Sequence, residues 1–489
     1  MTPNEEFAAQ LAQDMAARGE ALAAKPAPFA PELQQILDTL QPLDFRELAG
    51  AKPDEKVRAR EMLVLSVREL IKIVEAAGAG LTASNGQPYA YNGRYWQEIS
   101  PEEMKGFLAA AAARLGIDEI TAEYFDTQDK LYKQFLATAR LQTKRRSRGQ
   151  VLVNFPNGTL EITQAGRWRL RAHDKADFLK YELPYNYDPA ATTCPLFTAY
   201  LNTVQPDPTA QAVLAEFVGN ALAPELKLQK ALVLNGPGSN GKSVFCEIIT
   251  AVLGRENVSS YTMESLTKQD SRSCAQLENK LLNYSSENSI KMNVEAFKTL
   301  VCGEPVEVRR LYQEAYTIEG YAKLMFNCNL LPRDVEQSDG FFRRFLIVPF
   351  NVKIEEAERD PELAAKIIAN ELPAVFNWVL QGLRRLLKAK DFTECASARA
   401  ALETYRKESN SVLMFIEENG LLPGCGDPAD RVRLGALYDA YRRYCYGGSY
   451  YPLNKTNFNR QMQAQGFQAG RDGSRGNWLD CLGYDPAQM

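Results

Sequence analysis

Eight consecutive residues, Gly236-Pro237-Gly238-Ser239-Asn240-Gly241-Lys242-Ser243, carry the densest chemistry in this chain. An apolar run at 231–234 precedes them, and an amphipathic stretch beginning at Val244 follows and ends near Gly254. GxxxxGKS between a strand and a helix is the context that a phosphate-cradling loop requires. Glycines let the backbone curl so that its N–H groups converge on phosphate oxygens. The helix N-terminus adds the positive end of its dipole. Lys242 can then reach β- and γ-phosphates, and the Ser243 hydroxyl can hold Mg²⁺. The expected ligand is therefore ATP with Mg²⁺, bound along 236–244.

Hydrolysis asks for an acid on a neighbouring strand. Residues 280–286 read as a strand that ends in Glu287, placed to polarise an attacking water and to stand beside the metal. A third apolar strand at 322–328 ends in Asn329, whose amide can orient water or the γ-phosphate. Arg343 and Arg344 precede a fourth apolar strand, and a planar guanidinium suits γ-phosphate charge. One of them reaching a neighbouring subunit's nucleotide would be an arginine finger.

Other chemistries are excluded. His173 is the single histidine of 489 residues, so histidine relays and multi-histidine metal sites cannot be built. No two of the nine cysteines stand at CxxC spacing, and their scatter fits free thiols in a reducing cytoplasm. A net charge of −4 means that nucleic acid must be met by local basic patches, not by bulk charge. The N-terminus MTPNEEFAAQ lacks the pattern of a signal peptide, and the most apolar stretch near the start is broken by Arg68, Glu69 and Lys72. A cytoplasmic protein without a membrane span is expected.

The elements that must position these residues can be outlined. Residues 1–80 read as helical, with a turn or linker at 25–31. Leu63, Val67, Leu70, Ile71 and Val74 form one helix face. Asn92-Gly93 and Asn157-Gly158, between apolar or aromatic flanks, predict two hairpins. Ser100-Pro101-Glu102-Glu103 predicts a capped helix start with a capping box. The run Lys144-Arg145-Arg146-Ser147-Arg148 is either a solvated loop or a phosphate contact. Residues 181–194 read as an extended linker. From Lys230 to about Val352, strands and helices alternate, the sign of an α/β domain with a parallel sheet. Residues 431–489 hold eight Lys/Arg against four Asp/Glu, net positive in an acidic chain. Their helix–loop–helix–strand–strand pattern looks like a winged helix, in which Asn457, Arg460, Arg471 and Arg475 would contact duplex DNA.

Taken in order, GPGSNGKS, LLNYSSEN, FKTLVCGEPVEVRRLY, KLMFNCNLLP and GFFRRFLIVPF resemble the superfamily 3 helicases, and more closely the phage, plasmid and poxvirus-type primase–helicases. The likeness covers roughly 90–480. It implies a homo-oligomeric, likewise hexameric, AAA+ ring that hydrolyses ATP between subunits, moves 3′→5′ along single-stranded DNA and separates duplexes. By the same likeness Lys242, Glu287, Asn329 and Arg344 are the catalytic positions, with Arg344 preferred over Arg343 because it abuts the strand. Lys298 matches a basic residue of the family, and 305–320 resembles the hairpin that enters the ring channel, bringing Arg309 and Arg310 to DNA. The implied layout is a helical region at 1–85, a helical and hairpin domain at 86–200, the AAA+ domain at 201–390 and a winged-helix domain at 391–489. Ser286 stands where many such ATPases carry a second acid, which bears on the rate of hydrolysis. Two other readings stay open: a primase or replication-initiation protein, and a DNA-binding, ATP-gated ring with slow hydrolysis. The chain lacks a zinc-type cysteine cluster and an Asp-x-Asp pair, so a primase or polymerase module is expected on a separate partner.

Overall fold

A computed structural model describes residues 29–485, apart from 53–54, 140–149, 269–271, 287–291, 312–313, 330, 333–336, 449, 451 and 474–475. The basic run at 144–148 and most of the 25–31 segment lie outside the described residues. The chain divides into two compact units, 1–146 with 172–181, and 147–171 with 182–489.

In the first unit, helices α1 (Pro31–Thr39), α2 (Ala59–Ala76), α3 (Pro101–Arg114) and α4 (Phe125–Thr138) pack with a sheet of β1 (Gly80–Ser84), β2 (Gln87–Tyr91) and β3 (Trp96–Glu98). The apolar spacing read for α2 holds, with Val67, Leu70 and Val74 buried and Leu63 and Ile71 packed at the edge. Asn92-Gly93 makes its hairpin, pairing Tyr91 with Trp96. One core runs from Leu33 through Leu70 and Phe107 to Phe135, and the exposed turn at 85–86 joins β1 to β2 within the same unit. The Ser100 hydroxyl caps α3 by accepting from Glu103 N at 3.1 Å. The reciprocal half of the box is replaced: the Glu103 carboxylate accepts from Ala30 N at 2.9 Å, at the start of α1. A carboxylate at a helix N-terminus is favoured by the dipole whichever helix it serves.

The second unit begins with the antiparallel sheet β4 (Val151–Phe155), β5 (Gly158–Ile162) and β6 (Trp168–Arg171), whose first turn is Pro156-Asn157. After an irregular stretch come α5 (Pro195–Val204) and α6 (Pro208–Ala221). The central sheet is wholly parallel, in the order β13 (Phe345–Pro349), β7 (Ala231–Asn235), β12 (Lys323–Cys328), β9 (Leu282–Ser285), β8 (Val258–Ser259). Parallel strands need crossovers. The connections include α7 (Lys242–Leu253), α8 (Val294–Cys302) and a hairpin of β10 (Val306–Val308) and β11 (Tyr316–Ile318). β7 lies between β12 and β13, buried throughout except at its last residue.

The long helix α9 (Leu363–Ala389) packs against α5, α6 and α7. It is the one described helix long and apolar enough to cross a membrane, and seven of its large apolar side chains, from Ile367 to Leu386, are buried in this fold. α10 (Ala396–Glu408) lies on β13. The C-terminal part comprises α11 (Ser411–Glu418), β14 (Leu422–Pro423), β15 (Arg431–Arg433), α12 (Leu434–Gly447), α13 (Lys455–Ala464), β16 (Ala469–Asp472) and β17 (Gly476–Leu482). Phe415, Leu437, Tyr441, Phe458, Met462 and Phe467 form its core.

Candidate functional site

β7 delivers the glycine-rich loop and α7 begins at Lys242. Gly238, Ser239 and Gly241 have φ of 103°, 53° and 83°, in the region glycine enters without a Cβ penalty. Two glycines are also required for space. A Cβ on Gly236 would stand 2.3 Å from the Phe350 carbonyl oxygen, and one on Gly241 2.6 Å from Val204 Cγ1. The loop is pinned from outside. Asn240 Nδ2 donates to Phe350 O at 2.8 Å, Ile354 N to Ser239 O at 2.9 Å and the Tyr200 hydroxyl to Gly241 O at 2.8 Å.

Lys242 is 4% exposed. Its ammonium donates to Gly236 O at 2.7 Å and Asn240 Oδ1 at 3.1 Å. Both acceptors are neutral, and among the described residues no carboxylate pairs with it. An ammonium has three N–H donors, so one remains for a ligand. Burial holds its pKa below the usual lysine value. A desolvated cation without a counter-charge is costly, and the N-terminus of α7 adds charge of the same sign. An anion relieves both.

A cavity of about 570 Å³ opens over the loop. Residues 238–244 line one side, so Ser243 and Val244 are in it; Pro237 is exposed outside the lining and Gly236 lies behind. Ser286, Asn327 and Asn329 line a second side, at the ends of β9 and β12. Tyr200 and residues of the stretch 354–363 form the rest. Glu287 lies outside the described residues; Ser286, just before it, is exposed to the cavity.

Asn327 was missing from the sequence reading. It is 9% exposed and shares a strand face with Asn329 two residues on. Tyr284 of β9 lies beside both Asn327 and Cys246, and burial pushes the Cys246 thiol up to about 12. Period-two alternation from Asn329 could have found Asn327. Tyr200 and the 354–363 wall left no local signal, because they meet the loop only through the fold.

Arg344 does not enter this cavity. Its guanidinium donates to Gly340 O and, at 3.2 Å, to Cys302 Sγ, and its Nε is buried without a partner among the described residues. Arg343 is exposed, with Nη2 3.5 Å from Gln229 Oε1.

The basic residues assigned to DNA are placed as follows. Lys298, on α8, pairs with Glu295 at 2.9 Å. Arg310 leaves β10 to meet Glu278 at 3.0 Å and the Tyr316 hydroxyl at 2.8 Å, and that hydroxyl donates to Glu278 at 2.8 Å. Arg309 is exposed beside it. Arg460 Nη2 donates to Asn457 Oδ1 at 3.0 Å on α13, Arg471 is exposed on β16, and Arg475 lies outside the described residues.

The class of fold is thus mixed α/β, with a parallel sheet whose inner strand ends in a glycine-rich, anion-ready loop. Residues 82–206 match the family described as D5 N terminal like, and 234–344 match a family of unknown function, DUF5906. The second match runs from the loop to the arginine pair. The chain is 25% identical over 244 residues to a candidate helicase of Acanthamoeba polyphaga mimivirus, a match covering 46% of this chain and 24% of that protein. The chain thus spans about a quarter of that relative's length. Among solved structures it is similar to the A form apo structure of the NrS-1 C terminal region, with 13% identity, 84% of this chain and 98% of that one covered, and a TM-score of 0.46. A second apo structure of that region (305–718) has a TM-score of 0.42 at the same identity, with 84% and 97% covered. The likeness to known proteins is thus carried by two stretches, 82–206 and 234–344, and by the partial match to a viral helicase candidate.

Proposed function

We propose that this chain is an ATP-dependent DNA helicase serving replication of a phage, prophage or plasmid. The observation that carries the reading is Lys242: a buried ammonium with no carboxylate partner among the described residues, at the N-terminus of α7, in one cavity with Asn329 and the end of β9. The cradle suits a triphosphate, since loop residues 238–244, with the buried Lys242 among them, line one cavity at the N-terminus of α7. Mg²⁺ would be held by Ser243, phosphate oxygens and water beside Glu287, and would spread the charge of the transferring phosphoryl group. Lys242 would neutralise the γ-phosphate, Asn329 would orient water and Glu287 would take its proton.

Subunits would assemble as an AAA+ ring, probed first for a hexamer. Arg344 was the preferred finger. Its tether to Cys302 and Gly340 makes the exposed Arg343 the better placed of the pair to reach a neighbour's nucleotide. The β10–β11 hairpin, for which Arg309 and Arg310 are the expected contacts, would bring Arg309 to single-stranded DNA, and 391–489, read as a winged-helix domain, would offer Asn457, Arg460, Arg471 and Arg475 to duplex. Polarity 3′→5′ follows by analogy.

The test is phosphate release with and without single-stranded DNA, on wild type and Lys242→Ala, together with strand displacement on a forked duplex. DNA-stimulated turnover that Lys242→Ala abolishes supports a motor. Turnover indifferent to DNA, with no displacement, overturns it. Ser286, in the place of a second acid, favours one alternative, an ATP-gated ring with slow hydrolysis. Glu287→Gln separates the two: a helicase loses unwinding, whereas a gated ring keeps its DNA binding.

A further inference from the structure

We infer that Glu371 is a positioning residue for the nucleotide site, acting through helix α5. The inference rests on the nucleotide reading of the cavity. Glu371 lies in the third turn of α9 and is 6% exposed. Its two carboxylate oxygens accept from Leu196 N and Phe197 N, each at 2.9 Å. These are the free N–H groups of the first turn of α5, whose own N-cap, Cys194, makes no side-chain cap. A helix start leaves such donors unsatisfied, and a carboxylate there also meets the dipole.

The other end of α5 rests on the loop. The Tyr200 hydroxyl donates to the Gly241 carbonyl, which also accepts from Phe245 N at 3.1 Å in the first turn of α7. Val204 fills the space beside Gly241, and Gln205 Nε2 donates to Pro349 O at 3.0 Å, at the end of β13. Gly241 is the residue before Lys242. The helix that braces the loop is therefore seated by one carboxylate from a helix whose own first residue, Leu363, lines the same cavity. Loss of that carboxylate leaves the buried Phe197 N–H unpaired, takes the acceptor from the Leu196 N–H at the surface, and lets α5 shift along its axis, carrying Tyr200 and Val204 off Gly241.

The experiment measures the Kd of a fluorescent N-methylanthraniloyl-ATP with Mg²⁺, on the full chain, well below its unfolding temperature. Wild type, Lys242→Ala, Glu371→Gln, Tyr200→Phe and the Glu371→Gln/Tyr200→Phe pair are compared, each with its Tm. Glu371→Gln is expected to raise Kd roughly tenfold, the scale of one lost charge-assisted hydrogen bond. Tyr200→Phe should raise it several-fold, and the pair no further than Glu371→Gln alone, since both act along one path. A lowered Tm with wild-type Kd, or effects that multiply in the pair, overturns the inference and leaves Glu371 a helix cap. If Glu371→Gln does not fold, Glu371→Asp, which keeps the charge but cannot span both N–H groups, decides by the same criteria. A wild type that does not bind the probe, or a Lys242→Ala variant that binds it equally, removes the nucleotide reading itself and this inference with it.

Discussion

The glycine-rich loop and the β10–β11 hairpin both present cations, in opposite ways. Lys242 is buried, and its partners are a carbonyl and an amide. Arg310 is half-buried and answered by the Glu278 carboxylate, while Arg309 beside it is exposed. A site built for one small polyanion gains by keeping its charge desolvated and uncompensated, because the ligand then supplies the whole counter-charge. In the hairpin, Arg310 is drawn onto a carboxylate and a hydroxyl that hold the turn, while Arg309 beside it lies on the surface.

The largest effect is expected at the loop. Lys242→Ala should lower DNA-stimulated phosphate release by at least ~10²-fold, as loss of a positioned charge at developing negative charge does, with Tm little changed. Survival of turnover would place the chemistry elsewhere. Gly241→Ala tests the loop's shape without touching its charge. A left-handed backbone and overlap with Val204 should together cost roughly 1–3 kcal/mol, read as a lower Tm and weaker nucleotide binding. Arg310→Ala should also destabilise, by roughly 1–3 kcal/mol, because the Glu278 carboxylate loses its guanidinium counter-charge. Arg309→Ala should leave the unfolding free energy within about 0.5 kcal/mol of wild type yet, on the proposed DNA reading of the hairpin, reduce the salt slope of single-stranded DNA binding by about one. Equal behaviour of the two arginine variants in denaturation and in DNA titration would erase the distinction.

The smallest effect concerns a second buried lysine, at the other end of the sheet. Lys323 opens β12, donates to Leu226 O at 3.2 Å, and is pushed down to about 8 by burial and, less, by Lys227. Between pH 8 and the ordinary lysine value, the unfolded chain binds more protons here than the folded one, so this group's contribution to stability rises with pH. Buried thiols act in the opposite sense, so the readout is a difference. Denaturant midpoints at pH 7.5 and 9.5 should rise more, or fall less, in wild type than in Lys323→Met, by on the order of 1 kcal/mol per pH unit.

Much of this was legible because it is local. The strand–loop–helix around Lys242, the turn at Asn92-Gly93, a hairpin at 151–162 whose turn falls one residue earlier than Asn157-Gly158, and Asn329 at a strand end each follow from a few adjacent residues. What escaped is non-local. Tyr200 lies 41 residues before the Gly241 carbonyl it meets, and Glu103 spends its carboxylate on another helix start instead of its own. Arg344 next to a strand suggested outward reach, but the side chain turned into its own fold, where Cys302 waits. Glu371 had a faint signature: a carboxylate four residues from Ile367 and from Val375, on a face otherwise apolar. Such a mismatch in a core stripe marks a partner supplied from far along the chain.

The contact between α6 and α9 has a mechanical consequence. Gly219 lies where a Cβ would be 2.8 Å from Leu383, and Gly382 where one would be 2.4 Å from Ala215. Two backbones that close interlock like teeth, and buried Glu216 bolts them again through Arg385 at 2.8 Å and Thr393. The pair cannot slide or roll without collision. Over the 14 residues of α6 it behaves as one stiff strut of about 21 Å, at ~1.5 Å of rise per residue. Bending of α9 is favoured instead at Pro373, whose ring removes a helix hydrogen bond, and in the stretch 350–362 that feeds the helix beside the cavity.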